Sequence, residues 1–164
     1  MKARIEAMLP GAILEDHAFR GDETLVVRRE RFLEVVDLVF SDGFQFLVDL
    51  TAVDWPERTP RFDVVTHWLN LVSQERLRLK VPLAEGESMP SLASRFKGSS
   101  WYEREVFDMF GIPFEGHPGL KRLLMWDDFQ GHPLRKDFPL DGGDPFCTRD
   151  LGVSYAPGAH APND

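Results

Sequence analysis

Residues 44–81 read FQFLVDLTAVDWPERTPRFDVVTHWLNLVSQERLRLKV, and the fold turns on how this run divides. Phe44, Phe46, Val48 and Leu50 recur at every second position, the period of a strand that shows one face to a core. FDVVTHWLNLV, rich in β-branched and aromatic residues, reads as a second strand. In RLRLKV, Leu77, Leu79 and Val81 oppose Arg76, Arg78 and Lys80, so the third strand has one dry and one wet face. The Pro-bracketed turn WPERTPR joins the first two, and SQE joins the second to the third. Connections this short favour antiparallel neighbours. The run therefore predicts a meander packed against one helix.

That helix precedes it. ERFLEVVDLVFSDGF sets Phe32, Val35, Val36 and Val39 at helical spacing with Gly43 as a stop, which predicts an amphipathic helix over 30–41. Further upstream, a short amphipathic stretch from Ala3 to Leu9 ends at the breaker pair Pro10-Gly11, and ETLVVRR at 23–29 reads as a strand. Downstream, SMPSLASRF at 88–96 is expected to form a short helix capped by Ser88 or Ser91. Trp101 to Phe110 reads as a helix closed by Gly111, with Tyr102, Val106, Met109 and Phe110 as its apolar stripe and the carboxylates elsewhere. The pattern predicts an α+β fold: a mixed, largely antiparallel sheet with flanking helices and an extended irregular C-terminal segment. Residues 1–140 form the expected domain. The Gly-, Pro- and Asp-rich DGGDPFCTRDLGVSYAPGAHAPND at 141–164 reads as an irregular tail that orders against a partner.

Totals narrow the function. A chain of 164 residues, 43% hydrophobic and 28% charged, suits one globular domain, and a formal charge of −8 repels phosphate backbones and anionic bilayers. Nucleic acid is thus not an expected partner. Cys147 is the lone cysteine, so no intrachain disulfide forms, and one thiol does not hold an iron–sulfur cluster. MKARIEAMLPGAILEDHAF lacks the roughly 7 to 15 residue apolar core of a signal peptide, and no run approaches the about 18 apolar residues of a membrane span. The expectation is a cytosolic chain.

Residues 101–140, WYEREVFDMFGIPFEGHPGLKRLLMWDDFQGHPLRKDFPL, concentrate everything that resembles chemistry. Glu105 and Asp108 lie three apart on one helix turn, which fits a general acid/base pair but equally a face that salt-bridges to a cation. Gly-His-Pro occurs twice, and His117 and His132 with Glu115, Asp127 or Asp128 offer metal donors; Gly before and Pro after each histidine also describe turns. HPLRKDFPL sets Arg135 and Lys136 beside Asp137 between two prolines, in an extended segment whose guanidinium can fork onto a carboxylate. The expectation is a network of Glu103, Arg104, Glu105 and Asp108 with Arg122, Arg135 or a partner's basic groups, which locks that segment over the sheet. No Gly-x-Ser-x-Gly elbow, dinucleotide fingerprint or phosphate loop appears, and Cys147 has no activating surroundings.

EREVFDMFGIPFEGHPGLKRLL at 103–124 followed by GHPLRKDFPL at 131–140 resembles the signature of the 30-kilodalton subunit family of respiratory complex I, the C-subunit of bacterial NADH-quinone oxidoreductase. The likeness extends upstream through FLVDLTAVDWP, RFDVVTHWLNL, RLRLKV and MPSLASRFKGSSWYEREV, covering roughly residues 30–140. It implies a non-cofactor-bearing structural and assembly subunit of the hydrophilic arm of a proton-translocating NADH:quinone oxidoreductase. Such a chain sits beside the quinone-site 49-kilodalton subunit and neighbouring iron–sulfur subunits, on the cytoplasmic face of the bacterial plasma membrane, touching the membrane only through the complex. FMN and iron–sulfur clusters are expected in the partner subunits, with none in this chain and no active site of its own. The family's signature acids and bases fall on Glu103, Arg104, Glu105, Asp108, His117, Arg122, His132, Arg135, Lys136 and Asp137. Trp101, Trp126, Phe129 and Phe138 are the aromatic anchors expected at an interface, although large rings serve a core equally well. MWDDF at 125–129 departs from the family's usual proline-containing stretch, and the tail is shorter than in relatives fused to the 49-kilodalton subunit. Three other readings remain: the equivalent subunit of a membrane-bound hydrogenase or another quinone or ferredoxin oxidoreductase, a free-standing metal-dependent hydrolase using His117 and His132, and a soluble adaptor for a partner outside respiration.

Overall fold

The computed structural model describes residues 1–139. Helix α1 (Lys2–Met8) leads into β1 (Ile13–Phe19) and β2 (Asp22–Val27), and a single 3-10 turn precedes α2 (Phe32–Ser41). β3 (Phe46–Asp54), β4 (Phe62–Leu69) and β5 (Arg76–Leu83) follow, then β6 (Met89–Pro90), α3 (Ser99–Phe110) and β7 (Phe114–Glu115). The main sheet has five strands in the order β1-β2-β5-β4-β3, antiparallel throughout except where β2 and β5 run parallel. The mixed α+β architecture is as expected.

Burial follows the alternation where the strands are regular. Leu77, Leu79, Val81 and Leu83 of β5 are buried, as are Phe62, Val64 and Trp68 of β4 and Leu25 and Val27 of β2. Phe32, Val35, Val36 and Val39 of α2 join them in one core, together with Val106, Met109 and Phe110 of α3. Removing that apolar surface from water is the main favourable contribution to the fold.

Two local expectations need correction, and one strand was not foreseen. The alternation from Phe44 to Leu50 breaks at a bulge between Leu47 and Asp49, so Phe44 and Leu50 are buried while Phe46 and Val48 are exposed. One inserted residue shifts the phase of a strand by half a period, which moves side chains to the opposite face. Residues 88–96 form no helix: Met89–Pro90 is a short strand paired parallel with β7, and turns carry the chain from there to α3. Ser91 works locally, its hydroxyl accepting from the Ala93 amide and donating to Glu103. β1 was hidden because ILEDHAF is an edge strand exposed on both faces, with no apolar alternation to reveal it.

Candidate functional site

α3 and the extended segment after β7 are held together by carboxylates on the inside. Asp108 is fully buried, and its Oδ2 accepts from the backbone amides of Leu123 (3.0 Å), Leu124 (2.7 Å) and Met125 (2.9 Å). Its Oδ1 takes Nη1 of Arg122 at 2.6 Å. The same guanidinium donates to the Phe129 and Gly131 carbonyls and lies over the Phe129 ring. One aspartate and one arginine therefore hold residues 122–131 in a defined loop without regular secondary structure. Burial pushes the Asp108 carboxyl upward, but the three amides and Arg122 outweigh it and hold it below the usual carboxylate range.

A second anchor lies at the end of β3. Asp54 continues the inward phase of Leu50 and Ala52, and both its oxygens meet Arg61, at 2.7 and 2.9 Å. The Lys136 backbone amide donates to it as well, at 2.8 Å. Arg61 also reaches Asp137 and Glu85, and Glu85 in turn accepts from Arg135. The forked Arg61 bonds hold Asp54 below its ordinary range against the opposing effect of burial, and Arg61 does the same for Asp137. Asp54, Arg61 and Glu85 were absent from the sequence-based site. An acid on the buried phase of a strand was the signal available for Asp54.

The remaining signature residues divide between internal fasteners and surface. Glu103, fully buried, accepts from the Ser91 hydroxyl (2.6 Å), the Leu92 amide (2.7 Å) and the Ser99 hydroxyl (2.9 Å), pinning the turns that precede α3. A Glu103→Gln substitution puts an NH2 among these donors. It is expected to lower stability by about 1–3 kcal/mol, read as an earlier denaturation midpoint with an unchanged slope. Arg104 donates to the Lys121 and Arg122 carbonyls and stacks on Trp101. Arg135 donates to the Phe110 carbonyl at 2.6 Å and lies over Phe62. Glu105 and the Lys136 side chain face solvent. Of the aromatics, Trp101 and Trp126 are 60% and 43% exposed, Phe138 is half-buried, and Phe129 is inside, edge-on to Trp126. Leu124 and Leu134 add exposed apolar surface. Cys147 and the tail lie outside the described residues.

The histidines have separate partners. His132 donates from Nδ1 to the Asp108 carbonyl at 2.9 Å, while His117 meets Ser100 through Nε2 and accepts the Gly119 amide on Nδ1. Their backbone anchors are eight residues apart along α3, roughly 12 Å at 1.5 Å per residue, so the two rings do not converge on one metal ion. Among the described residues no group of three or more His, Cys, Asp or Glu has metal-binding geometry. Ser100 and His117, 3.0 Å apart, have the outline of a nucleophile and its base. With Nδ1 accepting, Nε2 carries the proton and cannot take one from the serine, and among the described residues no carboxylate orients the ring.

Burial, with Arg135 and Arg122 nearby, pushes His132 below its ordinary range; the bond to Asp108 opposes this. The sign follows: the unfolded chain binds the proton first, so stability falls as pH drops below the unfolded value of about 6.5. His132→Asn keeps a donor near the Nδ1 position and removes the titration. A flatter stability profile between about pH 5 and 6.5 is expected, and an unchanged slope would refute this role.

Residues 25–144 match the family described as respiratory-chain NADH dehydrogenase, 30 Kd subunit. The C-subunit of the NADH-quinone oxidoreductase of Rhodobacter capsulatus is 46% identical over 145 residues, 87% of this chain and 73% of that protein. Among solved structures, the trypsin-resistant fragment of Nqo5 is 32% identical with a TM-score of 0.62, covering 73% of this chain and 97% of the fragment. A chain of the membrane-bound sulfane sulfur reductase, an archaeal respiratory membrane complex, shares the fold at 22% identity and a TM-score of 0.76, covering 99% of this chain and 94% of that one. Among the described residues, no helix is long and apolar enough to cross a membrane.

Proposed function

Because this chain belongs to the 30-kilodalton subunit family of respiratory-chain NADH dehydrogenases, we propose that it is a cofactor-free positioning subunit of the complex's hydrophilic arm. It buttresses the quinone-site 49-kilodalton subunit and keeps the cluster-bearing subunits in register from the cytoplasmic side of the plasma membrane. FMN and iron–sulfur clusters belong to the partners. Through-protein electron transfer depends on fixed spacing between centres, so a rigid scaffold contributes to turnover without touching the reacting atoms.

The observation that carries this reading is how the chain uses its charged signature. Asp108, Arg122, Glu103, His132 and Arg135 are turned inward onto backbone groups, which is the chemistry of a fastener. What they hold out to solvent is the apolar set Trp101, Leu124, Trp126 and Leu134, with Arg104 flattened on the first ring. Exposed tryptophans on a rigid support are the usual anchors of permanent interfaces.

A tagged copy at native expression, recovered from gently solubilised membranes, is expected to bring down the quinone-site and iron–sulfur subunits with NADH:quinone activity. Recovery alone from the soluble fraction would overturn the proposal. Activity with reduced ferredoxin and none with NADH would instead favour the alternative reading, the equivalent subunit of a membrane-bound hydrogenase or another quinone or ferredoxin oxidoreductase.

A further inference from the structure

The other face of the main sheet carries a second feature. Strand register sets its outward residues in rows: Phe46, Leu69 and Arg76 face each other across β3, β4 and β5, and next to them run Asp49, His67, Arg78 and Thr24. At this end the sheet has a groove of about 280 Å³, whose lining includes Phe46, Val48, His67, Arg76, Arg78 and one acid, Asp22. Phe46 and Val48 are 48% and 41% exposed, placed there by the bulge in β3.

Its charges are incomplete. Arg78 donates to Nε2 of His67 at 2.9 Å and to the Thr24 hydroxyl at 3.2 Å, both neutral acceptors, and Asp49 sits on the far nitrogen of His67. Arg76, on the same face two residues earlier, has no carboxylate partner among the described residues. Arg61, Arg122 and Arg135, half-buried elsewhere, each have one. Unpaired guanidinium groups beside exposed apolar side chains suit an incoming carboxylate next to an apolar residue.

We propose that this groove is a second docking surface, for a segment of a neighbouring subunit that sets an apolar side chain on Phe46 and Val48 and an aspartate or glutamate on Arg76 and Arg78. It rests on the reading of this chain as an assembly subunit. At about 280 Å³ the cavity is smaller than a typical cofactor pocket and suits the side chains of a docking segment. A chain of net charge −8 is repelled by an anionic bilayer, which favours a peptide carboxylate over a lipid phosphate.

The test uses the intact complex purified through another subunit. Arg76→Lys supplies an amine for zero-length carbodiimide coupling, and a benzophenone amino acid at Phe46 supplies a photoreactive probe. The expected result is an isopeptide bond from the R76K side chain to an Asp or Glu of a neighbouring subunit. The Phe46 photoadduct should fall within a few residues of that acid. Coupling only to Asp22 of the same chain, adducts only with lipid, or no adduct while the chain is present at full stoichiometry would each overturn the inference. Absence of the chain from the purified complex is a different outcome, which removes the proposed function and this surface with it.

Discussion

Replacing Asp108 with Asn is expected to lower the unfolding free energy by about 3–5 kcal/mol, because it leaves the Arg122 guanidinium without its counter-charge in a largely enclosed site. For a domain of this size that is a fall in Tm of roughly 10 °C. The Asn NH2 must also face a donor, either the amides of Leu123, Leu124 and Met125 or the Arg122 guanidinium. Because those amides belong to the extended segment, the loss should appear first there, as faster hydrogen exchange and proteolysis over residues 122–131. Arg122→Met tests the assignment. If the pair is coupled as the geometry indicates, the D108N/R122M double variant costs less than the sum of the two single changes. A D108N melting temperature within a degree or two of the parent would sink this account of the site.

The same carboxylates set the acid limit. Asp108 and Asp54 are both held below the ordinary range, so their contribution is fully present above about pH 4 and is lost as pH falls through their folded values. Acid should therefore release the C-terminal segment from the sheet, after the shallower loss that His132 imposes at higher pH.

Gly111→Ala is the second large effect. Gly111 ends α3 at φ +73°, a left-handed conformation that costs an L-residue about 1–2 kcal/mol. A Cβ there would stand 2.5 Å from Nε2 of His132 and 2.8 Å from Nη2 of Arg135. Both side chains would have to move, and both donate to α3 carbonyls, at Asp108 and Phe110. With about 1 kcal/mol for each bond lost, the expected total is about 3–4 kcal/mol. Gly86 is the control: its φ is +84° and nothing lies within 4 Å of a Cβ, so Gly86→Ala carries the conformational cost alone. Equal losses at the two positions would show that the packing of His132 and Arg135 contributes nothing.

Together these variants test whether the signature motif acts as a clamp. The identity of the family was legible in the motif as a string, since EREVFDMFGIPFEGHPGLKRLL is long and specific. Its physical role was only half legible. An expected pairing of Asp108 with Arg122 is present, but Asp54 and Arg61 are the hub of a second anchor that the motif does not contain. Glu103 meets two hydroxyls and an amide where a cation was expected.

Sequence by itself determined the elements whose residues carry their own periodicity: α2, the dry face of β5, and α3 with its closing glycine, because each pattern fits one local geometry and no other. Tertiary structure alone decided the bulge that turns Phe46 and Val48 outward, the parallel pairing of β2 with β5, and the burial of Glu103, Asp108 and Asp54. A carboxylate goes inside only where donors await it, and for Asp54 one of those donors comes from Lys136, 82 positions away. No local pattern encodes a contact at that separation; it exists only once the chain has folded back on itself.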